Sequence, residues 1–335
     1  MGATLQLLAG DQIVSKSQEE FIEKHKEQSF LATPQDDSSI VEVRPQIEEL
    51  EGVVNTLLSI KDQKTEVQPS KIMKIVNRHN RSFEVGRKQD AHECLDILLN
   101  IFAKLPKSQQ VFMGACSPRQ TCFVCDDQTQ CDIEEFNGLT LPVAPTINEA
   151  MKQYFEDEIL DGQNKVYCER CQNKTKTGRV RPILLFPSTL FLIMMRYGLE
   201  KKNCRPINIE RKLYIPDQLS VDGENASYTL QGIVIHQGRN CHSGHYTALV
   251  RDDNDGDDDW VYCDDEVVCR VRDSYLNTNI IKENCYILRY ILSSHQKKLE
   301  IRQETLSSDT KDPDFSKNSY LDKKTRKETL SNFCQ

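Results

Sequence analysis

Two groups of side chains in this sequence are spaced for chemistry. The first is Cys122-x-x-Cys125 together with Cys168-x-x-Cys171. Two thiolates three residues apart on a tight turn can face one ion, and two such turns complete a tetrahedron of sulfur. Four thiolates make a closed structural zinc site, with no position left for a catalytic water. The 42 residues between the pairs exceed the span of a compact zinc finger and suit two β-hairpins meeting at their tips. The alternatives are four unrelated cysteines, or a ribbon that binds nucleic acid. Asp126, Asp127, Asp132, Glu134 and Glu135 count against the ribbon, because they would repel phosphate.

The second group is Gly244-His245-Tyr246, at a loop-to-strand junction, followed by Trp260 through Asp264 and Asp265. A histidine opening one strand and a carboxylate on the next can lie side by side. The carboxylate then orients the imidazole and favours its charged form, which is two-thirds of a nucleophilic triad. The alternative is an ordinary surface hydrogen bond. His236 and His242 lack partners at metal-ligand spacing and read as structural or loop residues. The acidic run from Asp252 to Asp259 resembles a calcium loop only loosely. It lacks the terminal glutamate and reads as a solvated hairpin tip.

The elements that must hold these groups change character along the chain. Residues 1–44 suggest one or two amphipathic helices, from Leu5, Leu7, Leu8, Ile13 and Phe21, and then a loop. Residues 46–105 read as helical. The clearest helix follows Asp90, with Ala91, Cys94, Leu95, Leu98, Ile101, Phe102 and Leu105 at steps of three and four. Asp90 caps its start, Glu93 fits a capping box, and Pro106 marks its end. Residues 147–160 fit one more helix. Strand patterns dominate elsewhere: 183–186, 190–195, 228–236, 245–250, 260–263, 267–271 and 285–292.

Composition narrows the class. A chain of 335 residues with 38% hydrophobic and 28% charged residues can form one large domain or two. No apolar run is long enough to span a membrane, and no secretory signal is read. Nine acidic residues and one arginine between Arg251 and Glu266 account for the whole formal net charge of −8, so no global basic field favours nucleic acid. Thirteen cysteines, an odd number, fit reduced thiols in the cytoplasm or nucleus. In residues 293–335, 16 of 43 are charged without apolar periodicity, so a disordered tail is expected. Its cluster Lys323, Lys324, Arg326 and Lys327 reads as a solvated charge run.

Taken in order, these blocks resemble the ubiquitin-specific proteases, papain-like cysteine peptidases that remove ubiquitin from proteins. The resemblance runs from about Leu5 to Leu292. Gln89, Asp90, Ala91 and Glu93 with Leu95 match a Gln-Asp-Ala-x-Glu-Phe-Leu box, in which Cys94 replaces the usual phenylalanine. The two cysteine pairs match the family's zinc ribbon. Glu135, Phe136, Leu139, Leu141 and Val143 match the strand after its first knuckle. Pro187, Leu190, Arg196 and Tyr197 match a Pro-x-x-Leu…Arg-Phe strand. His236, Gly238, Gly244, His245 and Tyr246 match the histidine box, and Trp260, Asp264, Asp265, Val268, Tyr286 and Tyr290 match the closing strands.

The resemblance implies a papain-like α+β domain over 1–292: a helical thumb (about 1–108), zinc-tipped fingers (about 109–180) and a β-rich palm (about 181–292). It implies His245 as general base, Asp264 as its orienting partner and Asp265 as an assisting neighbour. It places Gln89 and Asp90 near the cleft for ubiquitin's arginine-bearing tail. The implied cofactor is one structural zinc on Cys122, Cys125, Cys168 and Cys171. The implied partner of a monomeric chain is ubiquitin or a ubiquitinated protein.

One block departs from the pattern. The family's nucleophilic cysteine sits in a segment like N-x-G-x-T-C-Y-x-N-S-x-L-Q. Here Gly2-x-Thr4 resembles its left half and Leu5-Gln6 its right half, with the cysteine stretch between them absent. No cysteine precedes Cys94, which reads as core packing, and Cys241 is the thiol nearest to His245 in sequence. Loss of a nucleophile costs several orders of magnitude in rate. The expectation is therefore an inactive or impaired deubiquitinase, with a ubiquitin-binding pseudoprotease as the alternative and a zinc-ribbon nucleic-acid adaptor as the remote one.

Overall fold

The computed structural model describes Val53 and residues 70–84, 86–103, 109–198, 201–223, 225–240, 243–251 and 259–293. The expectations for residues 1–44, the Gly2–Gln6 join, Cys241, His242, the acidic run over 252–258 and the tail beyond 293 lie outside the described residues. Among those described, no helix is long and apolar enough to cross a membrane.

The architecture is α+β, as expected. Its centre is an eight-stranded sheet made of β1 (Leu139–Leu141), β2 (Thr189–Met194), β3 (Lys212–Ile215), β4 (Ala226–Asn240), β5 (Ser243–Arg251), β6 (Asp259–Asp264), β7 (Val267–Arg272) and β8 (Cys285–Leu292). The order is β7-β6-β5-β4-β8-β2-β1, with β3 beside β4. All pairs are antiparallel except β2 with β1.

The middle of this sheet is covered on both faces, so its strands read as continuous apolar runs. Along β2, Phe191 and Ile193 pack into one core while Leu190, Leu192 and Met194 pack into the other. The first core is completed by helices α1 (Ser70–His79) and α2 (Ala91–Phe102). The second is completed by α3 (Ile147–Tyr154), β3 and Ile281 of α4 (Asn279–Asn284).

α2 forms where the periodicity places it. Ala91, Cys94, Leu95, Leu98, Leu99, Ile101 and Phe102 are buried. Asp90 caps it, accepting from the backbone N–H of His92 at 2.7 Å and of Glu93 at 3.3 Å. Among the described residues no bond from the Glu93 carboxylate completes a capping box. The Asp90 carboxylate also accepts from the Tyr286 hydroxyl at 2.9 and 3.0 Å, which ties the start of α2 to β8. Burial and that carboxylate raise the phenol's pKa, so Tyr286 stays a donor.

The expected helix over 147–160 is shorter. It ends at Tyr154, and Glu158–Leu160 becomes a strand paired with Thr177–Val180. The strand pairing supplies backbone hydrogen bonds that a longer isolated helix could not match with tertiary contacts. That pairing belongs to a second sheet, in the order Gln128–Gln130, Arg119–Cys122, Thr177–Val180, Glu158–Leu160. A two-stranded ribbon, Val166–Cys168 with Asn173–Thr175, precedes its third strand in sequence.

Asp90→Ala removes a helix cap and leaves a buried phenol without its acceptor. The expected loss is about 2–3 kcal/mol of unfolding free energy, read from urea midpoints. Tyr286→Phe, which keeps the cap, should cost about 1 kcal/mol.

Candidate active site and metal centre

His245 lies near the start of β5, opposite Gln237 of β4. β6 runs along the other edge of β5, with Ala248 facing Cys263. One residue further, that register sets Asp264 beside Thr247, on the same face as His245. The imidazole leans along the strand and reaches it: Nε2 is 2.5 Å from Asp264 Oδ1. Asp265 Oδ2 stands further off, at 3.9 Å. The other oxygen of Asp264, Oδ2, accepts from the Tyr262 hydroxyl at 3.3 Å. Asp265 takes the left-handed backbone, φ +48°, in the two-residue turn from β6 to β7. Aspartate tolerates that region better than most side chains.

A carboxylate on Nε2 makes that nitrogen the N–H donor and leaves the lone pair on Nδ1. Nδ1 is therefore the basic edge, free to take a proton from a thiol, alcohol or water placed before it. The side chain of His245 is 48% exposed and that of Asp264 35%, so the pair is reachable from solvent.

Behind this pair lies a buried polar layer. His236, on β4 opposite Tyr246, is 1% exposed. Its ring lies tilted by 31° against Tyr246 with centroids 4.3 Å apart and meets Tyr197 edge-on at 5.5 Å. Its Nδ1 shares a hydrogen bond with the Tyr197 hydroxyl. Lys202 Nζ donates to its carbonyl at 2.5 Å and to Asn284 Oδ1 at 2.6 Å. Burial first, and then the Lys202 charge, push the imidazole down to about 4, so it is neutral at physiological pH. Tyr286 contacts both Tyr197 (5.2 Å) and Tyr246 (6.3 Å), so the layer runs from Asp90 at the head of α2 to the neighbour of His245.

The four cysteines also meet. Their sulfurs all lie within 4.8 Å of one another, with Cys122 to Cys171 at 3.9 Å and Cys125 to Cys168 at 3.6 Å. A tetrahedral ion with metal–sulfur bonds of about 2.3 Å needs sulfurs about 3.8 Å apart, so the cluster could hold one metal ion. The sheet explains the long sequence gap. Cys122 ends a strand that pairs with Thr177, and the ribbon bearing Cys168 runs directly into that partner strand. The two turns are alike: the residue after each second cysteine, Asp126 or Gln172, has positive φ (56° and 51°). The Thr175 hydroxyl at 3.2 Å and the Val124 N–H at 3.4 Å lie against Cys122 Sγ and lower its thiol to about 6, whereas the hydrogen bond with Cys125 and burial push Cys171 up to about 12, so Cys122 is the thiol that ionises most readily.

The structure thus brings together His245, Asp264 and Asp265, and separately the four cysteines. Gln89 and Asp90 stand at the head of α2 with other obligations: Gln89 Nε2 donates to the Ser82 carbonyl, and Asp90 serves the helix and Tyr286. Tyr262 and Thr175 were not among the sequence candidates. Tyr262 was findable, because it lies two residues before Asp264 on one strand and must share its face. Thr175 carries no sequence signal.

Comparison with known proteins bears on the family and the fold. The family model described as ubiquitin carboxyl-terminal hydrolase matches residues 1–290. Ubiquitin carboxyl-terminal hydrolase 9 of Saccharomyces cerevisiae is 29% identical over 236 residues, covering 62% of this chain and 31% of the relative. The mouse ubiquitin carboxyl-terminal hydrolase 17-like protein D is 26% identical over 290 residues, covering 78% and 50%. The chain thus spans 31% to 50% of the length of these relatives. Among solved structures, the SAGA DUB module Ubp8/Sgf11/Sus1/Sgf73 bound to monoubiquitin aligns with TM-score 0.66 at 20% identity, covering 87% of this chain and 66% of that one. The same module bound to ubiquitin aldehyde aligns at 0.65 and 21%. These two likenesses bear on the fold, which is the papain-like α+β type.

The neutral His236 makes stability pH-dependent. An unfolded histidine protonates near 6.5 and the folded one at about 4, so the unfolded state binds more protons between those values. Stability is retained above pH 6.5 and falls as pH drops towards 4, by about 2–3 kcal/mol at pH 4.5. Urea midpoints at pH 7 and 4.5 should show that extra loss in the wild type and not in His236→Gln.

Proposed function

The chain belongs to the ubiquitin carboxyl-terminal hydrolase family, and from that premise we propose that it recognises ubiquitin with a site built for thiol hydrolysis, while residues 1–335 alone lack a competent thiol. The observation that carries the proposal is the His245–Asp264 pair, with Nε2 committed to the carboxylate at 2.5 Å and Nδ1 left basic. In the complete reaction a thiolate adds to the carbonyl after ubiquitin's last glycine. His245, protonated by that thiol, returns the proton to the leaving lysine amine, and water then clears the acyl-enzyme. Asp264 holds the imidazole, and Asp265 adds a second negative charge beside it.

The thiol inventory supports the second half. None of the eleven described cysteines hydrogen-bonds to His245. Burial pushes Cys94, Cys116 and Cys263 up to about 11, and no cysteine precedes Cys94 in the sequence. Such thiols are protonated at neutral pH and inert as nucleophiles.

α1 and α2 form the thumb, the cysteine-tipped strands the fingers and the eight-stranded sheet the palm. The four cysteines hold one structural zinc. Asp90 and Gln89 border the cleft for ubiquitin's tail. Asp90 accepts three donors, from His92, Glu93 and Tyr286, and a carboxylate has about four lone-pair sites. One site is thus available to a tail arginine.

Calorimetry with ubiquitin should show binding, and a ubiquitin bearing a C-terminal electrophile should leave the purified chain unlabelled. An adduct lost on Cys241→Ser would overturn the claim of inactivity; no binding at all would remove the ubiquitin reading. Elemental analysis should find about one zinc per chain, falling at least fivefold in Cys168→Ser. A metal-free chain with native stability would remove the zinc assignment.

A further inference from the structure

We propose that His236 is a positioning residue for His245: its buried imidazole, seated in a notch between Gly238 and Gly244, sets the course of the strand end that carries His245. The inference rests on the reading of His245 as the base. It concerns a residue that touches no substrate.

The contacts are specific to an imidazole of this size. A Cβ at Gly244 would stand 2.2 Å from His236 Nε2, and one at Gly238 would stand 2.9 Å from Cε1. The edge of the ring therefore occupies the space that side chains at both positions would need. The same glycine at 238 lets the two strands close, because its Cβ would sit 2.1 Å from the Ser243 carbonyl oxygen. The pairing between β4 and β5 is irregular beyond Gln237 and His245, resuming only at Asn240 with Ser243. His245 is the last residue of the regular ladder, opposite Gln237, so hydrogen bonds alone do not settle where Gly244 lies. The imidazole does, by packing against Gly244 on one side of His245 and lying tilted against the Tyr246 ring on the other.

The ring is itself immobilised. Tyr197 meets Nδ1, Lys202 grips the carbonyl, and Tyr246 covers a face. The titratable groups around it are Lys202 and Tyr197 after β2, Tyr246 on β5, Tyr286 on β8 and the more distant Asp90 at the head of α2. A protonated imidazole here would add a second cation beside Lys202, so the neutral form is the one that fits. His245 needs its Nε2 within hydrogen-bond reach of Asp264, and a displacement of about 1 Å is enough to lose it.

Two-bond imidazole proton–nitrogen spectra of the full chain test this directly, because they report the tautomer and hydrogen bonding of each histidine. The wild type should show His245 as a single Nε2–H tautomer. In His236→Phe and in Gly244→Ala, His245 should lose that single state and average between tautomers, with amide dispersion elsewhere kept. Tyr197→Phe, which only loosens the ring, should give a partial effect. If His236→Phe does not fold, Gly244→Ala and Tyr197→Phe decide. An unchanged His245 signal in the folded variants overturns the proposal, and so does a wild-type His245 that already averages. These spectra contain no ubiquitin. Failure of the ubiquitin reading would show in calorimetry and leave this result standing.

Discussion

The carboxylate of Asp90 carries two obligations at once. It stabilises the first turn of α2, where backbone N–H groups have no partner within the helix. It also takes the hydroxyl of Tyr286 from the middle of the sheet. An anion at a helix N-terminus is favoured by the helix dipole, so the acceptor is strong on both counts. The helical layer is therefore placed on the sheet at a fixed point as well as by its apolar face. From that point a layer of rings, Tyr286, Tyr197, Tyr246 and His236, extends to the strand that bears His245.

Such a layer is costly if any member lacks a partner, since buried polar groups lose their water. Four of its groups have such partners: Tyr286 in Asp90, Tyr197 and His236 in each other, and Lys202 in a carbonyl and an amide oxygen. The return is rigidity behind a pair that faces solvent. His245 and Asp264 are exposed side chains, and exposed ion pairs are weak when left to themselves. Their geometry depends on what stands behind them. The cysteine cluster follows the same logic at the other sheet. Its sulfurs converge because two turns with left-handed residues are fixed by strand pairing, and Thr175 and Val124 favour the thiolate on Cys122.

Much of this was legible before any coordinates. The apolar spacing after Asp90 defines α2 and its buried face, because the 3.6-residue period is a property of the helix alone. β8 appears with the bounds read from its residues, and β4 and β5 are longer than their apolar cores suggest, since residues such as Gln237 and Ser243 pair without being buried. The stretch after Tyr154 misled because Glu158–Leu160 has no alternation to mark it; its strand form comes from Thr177–Val180. The cysteine spacing announced a cluster that could hold a metal ion, yet the role of Thr175 did not show, because its neighbour Cys122 is remote in sequence.

By itself the sequence determined the residue types that chemistry requires: four thiols in two pairs, a histidine opening a strand, a carboxylate closing the next. It also determined the alternation and helical periods that say which faces are buried, because those are local. Tertiary structure alone decided which nitrogen of His245 meets Asp264, and that His236 is neutral behind it. It alone gave Asp90 a second partner 196 residues away in Tyr286. These outcomes depend on distances and desolvation between strands far apart in the chain, and neither quantity exists until the sheet has closed.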